Sequence, residues 1–455
     1  MEIKELRNNL EKLKAKTVTV NGWVRNNRNQ KDFGFLELND GTTFKSIQVI
    51  YDEKLKNYQE VKKLLTSSCV EVTGTVVLTP EMKQPFEIHA TKIMILGLSD
   101  ETYPIQPKKH SREFLREKAH LRPRTNLFSA VFRVRSLLAF AIHKFFQEEG
   151  FVYLNSPLIT ANDGEGAGNM FTVTSLDLKS GEKFDWSEDF FGKRAYLAVT
   201  GQLEAECFAT SFQKTYTFGP IFRAENSNTT KHASEFWMIE PEISFCDLNG
   251  LMEIIEHLLK YVIKYTLENA PEEMKFFDAF VAPGKLKQLD DFLKAKINIC
   301  PYEEVIKLVQ KNNKKFEHVL KFGDDLGSEH EKFLTDEYFK APVFVTNWPK
   351  EIKAFYMREN PDKKTVAAVD LLVPLAGELV GGSQREERLD ILINKMDALK
   401  MDKSILDWYI DLRRYGTCVH SGFGIGFERL VMYVTGIENI RDAIPFPRTP
   451  KSCEH

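Results

Sequence analysis

The hydrophobic period of this chain changes near Leu127, and that change bounds what it can fold into. Before it, apolar and polar residues alternate. Thr17-Val18-Thr19-Val20 runs into Asn21-Gly22-Trp23-Val24. Phe33-Gly34-Phe35-Leu36-Glu37-Leu38 leads through the Asn39-Asp40-Gly41 turn to Ser46-Ile47-Gln48-Val49-Ile50. Cys69-Val70-Glu71-Val72-Thr73-Gly74-Thr75-Val76-Val77 follows a helical stretch near 55–65. Period-2 runs between glycine turns read as strands, and short strands with one inserted helix predict a five-stranded barrel of the oligonucleotide-binding (OB) type.

After Leu127 the spacing becomes helical: Val131, Val134, Leu138, Ala141, Ile142 and Phe145 recur up to Gly150. Further strands are expected at 195–199, 216–223, 237–245, 365–373 and 420–425, and helices at 248–268, 385–399 and 427–435. At 455 residues the chain is too long for one ordinary core. The expectation is an α+β protein with a barrel over 1–100, a basic linker or hinge over 101–127, and a sheet-and-helix domain over 128–455. The motif-poor stretch near 272–340 reads as an insertion in that last domain.

Charge enters where partners are concerned. With 62 basic and 65 acidic residues the net charge is −3, which neither requires nor excludes nucleic acid, because phosphate binding needs only a local basic surface. Lys108, Lys109, Arg112, Arg116, Lys118, Arg122, Arg124, Arg133 and Arg135, against only Glu113 and Glu117, form such a stretch, which by itself reads as a solvated linker. The six cysteines have no CxxC spacing, so a reduced, cytoplasmic setting fits better than a disulfide framework. Residues 1–16 alternate charges without an apolar signal core, and no apolar run approaches the ~20 residues of a membrane span.

Common nucleotide motifs fail. There is no GxxxxGK[ST] loop, and Gly422-Phe423-Gly424-Ile425-Gly426 places Phe427 where GxGxxG needs its last glycine. Three stretches in order carry a different resemblance. The helix-then-strand run from Phe128 to Pro157 resembles motif 1 of the class II aminoacyl-tRNA synthetases. Phe222-Arg223-Ala224-Glu225, with His232 and Glu235-Phe236 beyond it, resembles motif 2, and Gly422 through Glu428-Arg429 resembles motif 3. The aspartate–asparagine–lysine subgroup of that family also places an OB barrel before a catalytic domain built on an antiparallel sheet flanked by helices.

The resemblance implies ATP and Mg²⁺. Arg223 would contact the α-phosphate, Arg429 the γ-phosphate and one adenine face, Phe236 the other face, Glu225 the adenine edge and His232 the outer phosphates. Glu378 matches the family's metal-binding glutamate, and Asp370 is a second candidate. The chemistry agrees: activation is an in-line displacement at phosphorus by a ready carboxylate nucleophile, so the protein must orient substrates and neutralise phosphate charge. A plainer reading stays open, with Phe236 in a core and Arg223 in a strand-end ion pair.

Within the subgroup, Thr200-Gly201-Gln202-Leu203-Glu204, Glu240, Gly382-Ser383-Gln384-Arg385 and Ile444-Pro445-Phe446-Pro447-Arg448 resemble the asparaginyl enzymes. Aspartyl enzymes carry a lysine where Ala205 stands here. The resemblance implies L-asparagine and tRNA(Asn) as substrates, with Arg385 and Glu240 on the side chain and Glu165 and Gln202 at the α-ammonium end. Arg25, Arg28, Phe35 and Gln48 would read the anticodon. A homodimer would form through the first long helix, whose Phe132, Leu137 and Phe146 exceed what one core contact requires. An aspartyl enzyme, whether discriminating or not, an ammonia-dependent asparagine synthetase and a nucleic-acid-binding synthetase paralogue are the alternatives.

Overall fold

Thr17–Asn29 (β1) sets the barrel: its burial alternates from Thr17 to Val24, with Val18, Val20 and Val24 turned inward. The computed structural model describes residues 1–455 except Lys83, Asp163, 165–168, 178–184, Asn228 and His455, and divides into the units Met1–Ala130 and Val131–His455. In the first unit β2 (Phe33–Asn39), β3 (Ile47–Asp52), β4 (Cys69–Leu78) and β5 (Phe86–Gly97) join β1 in a closed barrel of order β1-β2-β3-β5-β4. Closure leaves no free sheet edge. Val20, Leu36, Val49, Val72 and Ile88 meet inside, each burial contributing about 1.5–3 kcal/mol. The inserted helix is shorter than expected, Tyr58–Val61, and the helix Ile3–Asn8 adds Ile3 and Leu6 to the same core.

The basic stretch after the barrel is not wholly solvated. Arg122 is fully buried with its guanidinium 4.3 Å from the Phe128 ring centroid, and Leu115 and Ala119 are buried beside it in sequence. An arginine stem and planar head cover apolar surface well, which a charge count cannot reveal.

An eight-stranded sheet organises the second unit. Its strands are β6 (Val152–Tyr153), β7 (Lys214–Phe222), β8 (Glu235–Ser244), β9 (Asn298–Pro301), β10 (Val343–Pro349), β11 (Thr365–Val373), β12 (Gly377–Gln384) and β13 (His420–Gly426). Across the sheet they run β9-β10-β11-β12-β13-β8-β7-β6, antiparallel except for the parallel edge pairs β9–β10 and β6–β7. Every residue of β11 is buried, as its continuous apolar run requires. Around the sheet lie α1 (Asn126–Glu148), α2 (Gln202–Phe212), α3 (Leu248–Asn269), α4 (Leu389–Ala398), α5 (Asp407–Arg414) and α6 (Phe427–Thr435). Asp247 caps α3 by accepting from Gly250 N at 3.0 Å, and α3 buries Leu251, Ile255, Leu258, Leu259 and Val262.

Two expectations change. The helix expected at 385–399 starts at Leu389, because Arg385 N still donates to His420 O at 2.9 Å across the sheet and the Glu386 carboxylate takes Glu359 N at 2.9 Å. Phe146 is not spare: it stacks on Tyr216 at 4.4 Å within the chain. The 272–340 stretch supplies β9, an edge strand of the main sheet. No helix among the described residues is long and apolar enough to cross a membrane.

Candidate active site

Period 2 builds the site. On β8, Phe236, Met238, Glu240 and Glu242 point to one face, and all four line a cleft of about 350 Å³. The neighbouring β13 offers Gly422, Gly424 and Gly426 on alternate positions. A Cβ at Gly422 would lie 2.0 Å from Glu242 Oε1, and one at Gly424 would lie 2.7 Å from Met238 Cε. The Gly-x-Gly-x-Gly run is therefore a strand stripped on one face to admit β8 side chains, not a phosphate loop.

At one end of the cleft stand Arg223, Glu225, His232, Phe236 and Arg429. The β7–β8 loop is closed at its base by Arg223 N donating to Ser234 O at 2.9 Å, and the Arg223 guanidinium lies 5.6 Å from the Phe236 ring centroid. Arg429 projects from the first turn of α6 and donates to Glu378 Oε2 at 3.5 Å. Glu428, next to it, is held by other partners, accepting from Trp237 N at 3.0 Å and pairing with Arg135 at 2.7 Å.

Asp370 and Glu378 flank Gly381, whose absent Cβ would lie 3.5 Å from Asp370 Oδ1 and 3.2 Å from Glu378 Oε1. That glycine keeps the space between the two carboxylates open. Lys353 donates to Asp370 at 2.6 Å; burial raises the Asp370 carboxyl, against the pull of that ammonium. Two carboxylates lining one cleft suit a hard cation that keeps waters and phosphate oxygens as its other ligands.

The other end is polar and buried. Glu240, 6% exposed, accepts from Thr200 Oγ1, from Gly201 N at 2.9 Å and from Thr217 Oγ1 at 3.3 Å. Arg385 pairs in bidentate fashion with Glu242, through Nε at 3.1 Å and through Nη2, and donates Nη1 to Ser383 Oγ at 2.9 Å. Burial pushes the Glu242 carboxyl up while Arg385 pulls it down. Gln202 also lines the cleft, with its Nε2 bonded to Glu206. Burial alone would raise Glu206, but Arg413 and then His420 outweigh it and hold the carboxyl well below the usual range.

On the barrel, Arg28, Phe35 and Gln48 form one group: the Arg28 guanidinium lies 5.6 Å from the Phe35 ring centroid and donates to Gln48 Oε1 at 3.4 Å. Arg25 lies at a bulge in β1 and donates instead to the Arg124 backbone carbonyl. Glu165 lies outside the described residues. The sequence reading missed Glu242, Glu206, Lys353 and Tyr356, whose ring lies 5.2 Å from the Arg385 guanidinium. Glu242 had a signal, since it continues the β8 alternation, and Glu206 stands one helical turn after Gln202.

Comparison with known proteins follows the same two parts. Residues 111–450 match the family model of tRNA synthetases class II (D, K and N), and residues 18–96 match that of the OB-fold nucleic acid binding domain. The chain is 60% identical over 441 residues to the asparagine–tRNA ligase of Acholeplasma laidlawii (strain PG-8A), covering 96% of this chain and 95% of that protein. It is 55% identical over 457 residues to the asparagine–tRNA ligase of Clostridium botulinum (strain Alaska E43 / Type E3), covering 99% and 98%. Among solved structures, asparaginyl-tRNA synthetase from Pyrococcus horikoshii complexed with asparaginyl-adenylate superposes with a TM-score of 0.88 at 33% identity, covering 100% of this chain and 99% of that one.

Proposed function

Because the chain belongs to the class II aminoacyl-tRNA synthetases of the aspartate, lysine and asparagine group, as an asparagine–tRNA ligase, we propose that its cleft joins L-asparagine to ATP as asparaginyl-adenylate, releases pyrophosphate, and passes the aminoacyl group to tRNA(Asn) with release of AMP. The observation that carries this reading is the convergence of Gln202, Glu240 and Arg385 with Arg223, Phe236 and Arg429 in one cleft.

The asparagine carboxylate attacks the α-phosphorus in line and needs no general base. Arg223 holds the α-phosphate, and its planar fork takes up charge as the bond to pyrophosphate lengthens. Adenine lies between Phe236 and Arg429, with Glu225 at its edge, while His232 and Arg429 reach the outer phosphates. Asp370 and Glu378 would hold Mg²⁺, which when bound neutralises phosphate charge. Lys353, now on Asp370, is a cation already in that place.

Specificity for asparagine over aspartate rests on charge, since the two substrates have nearly the same shape. Arg385 donates to the side-chain carbonyl. Three donors already occupy Glu240, and a carboxylate has about four lone-pair sites, so one remains for the carboxamide NH₂. An aspartate oxygen there would meet like charge with no proton between. Ala205 leaves out the second cation that would reward a carboxylate. Glu165 joins Gln202 at the α-ammonium end.

Arg28, Phe35 and Gln48 on the barrel face suit an unpaired base, by stacking and by edge hydrogen bonds, and Arg25 is assigned to the same anticodon. Two copies pair through α1 and the strand after it, where Phe140 is 57% exposed; a 52.5 kDa species alone in sedimentation at micromolar concentration would refute the dimer. Charging purified tRNA with asparagine or aspartate tests the whole reading. Asparagine should be attached and aspartate rejected, and equal charging would overturn the specificity.

A further inference from the structure

Glu206 does not line the cleft, yet it controls a group that does. It is fully buried on α2, one turn beyond Gln202. Gln202 Nε2 donates to Glu206 Oε1 at 3.1 Å. The two ends of a glutamine amide are hard to tell apart by shape, but a carboxylate only accepts, so the chemistry fixes this one. One N–H of the NH₂ is given to Glu206, which turns the amide oxygen away from that carboxylate.

Glu206 is itself immobilised. Its Oε2 accepts from Arg413 Nη2 at 2.8 Å and faces His420 Nε2 at 3.0 Å. Tyr409 OH lies 2.9 Å from both carboxylate oxygens, and Arg413 Nε donates to Glu386 O at 2.8 Å. Arg413 and His420 therefore gather on Oε2, while Oε1 is turned to Gln202. So many donors on one buried carboxylate exceed what is needed to satisfy a single amide; their effect is to keep a full negative charge behind Gln202.

We propose that Glu206 is a positioning residue for the amino-acid substrate: it holds the Gln202 amide with its oxygen toward the cleft, where that oxygen accepts from the α-ammonium. This rests on the reading above that Gln202 serves the ammonium end. The consequence is specific. In Glu206→Gln, Arg413 and His420 keep the new amide oxygen on their side, so its NH₂ faces Gln202. Gln202 must then turn over to accept from it, and presents NH₂ donors to a cation.

The test uses the full-length enzyme in ATP–pyrophosphate exchange, with succinamic acid, which is asparagine without its α-amino group, as a competitive inhibitor. In Glu206→Gln the KM for asparagine should rise about 10- to 100-fold, while the Ki of succinamic acid and the KM for ATP stay within about twofold. A merely structural role would weaken both amino-acid ligands alike, and that result, or an unchanged ratio of KM to Ki, overturns the proposal. Gln202→Met separates the proposal from the reading beneath it. If the ratio survives in Gln202→Met, Gln202 does not serve the ammonium and both fall. If it rises there but stays unchanged in Glu206→Gln, only the role of Glu206 falls. Should Glu206→Gln fail to fold, Glu206→Asp keeps the charge for Arg413 and His420 but withdraws the carboxylate from Gln202; the same selective loss is expected, and its absence overturns the proposal equally.

Discussion

Gly422→Ala is a one-carbon change that should disable asparagine binding from a distance. The added methyl would sit 2.0 Å from Glu242 Oε1 and 2.2 Å from its Cδ, where ordinary contact begins at 3.4 Å. Glu242 has nowhere to retreat: it is fully buried and pinned by two bonds from Arg385. Either the carboxylate moves by more than an ångström or β13 moves away from β8. Breaking a buried pair costs about 3–5 kcal/mol, and misplacing a substrate-facing group by ~1 Å costs on the order of 10²-fold in rate. In pyrophosphate exchange, kcat/KM for asparagine should therefore fall about 10²-fold, with the KM for ATP little changed and a lower melting temperature. Gly424→Ala is the control. Its methyl meets only Met238 Cε at 2.7 Å, the free end of a flexible side chain, so the cost should be nearer ~1 kcal/mol. Wild-type asparagine kinetics in Gly422→Ala, or equal damage from both substitutions, would refute the claim that Glu242 and Arg385 act as one support.

Other perturbations address other parts of the molecule. Glu240→Gln should lower kcat/KM for asparagine and narrow its lead over aspartate; an unchanged ratio would show that the repulsive carboxylate lies elsewhere. Arg223→Ala and Arg429→Ala should each cut pyrophosphate exchange by about 10²–10³-fold, the usual cost of one oriented transition-state donor, and near-normal exchange in either would break the phosphate assignment. Phe35→Ala should raise the KM for tRNA and leave tRNA-independent exchange intact, whereas equal loss of both would mean that Phe35 supports the fold.

How far the sequence could be read depended on whether the signal was local. β1 and β11 were legible because alternation and a continuous apolar run each have one structural meaning. β12 was not, since Gly381 and Gly382 serve close approach at the expense of strand character. The cleft-lining side chains Phe236 and Glu240 on β8 were singled out through a family resemblance, although period 2 by itself would have extended the set to Glu242. The Glu206 network was beyond reach: Arg413 and His420 join it from 207 and 214 residues away, and no local pattern announces such a pairing. The helix boundary near Arg385 failed for a related reason, because helix propensity there loses to long-range bonds that the sequence does not display.

The position of β13 bears on how the protein is made. The strand comes almost last in the chain yet lies between β12 and β8 in the sheet. During synthesis at about 5–20 residues per second, β8 pairs with β7 and later β12 with β11, but the edge of β8 that β13 covers stays open for roughly 9–35 s, the time to pass from Ser244 to His420. From Ser244 to His420 the nascent chain therefore carries one open strand edge, on β8, and from Gln384 to His420 a second, on β12, and β13 is the strand that covers both. A ribosome stalled shortly before His420 would release a chain with a finished barrel and a split sheet, exposed to aggregation and to chaperones.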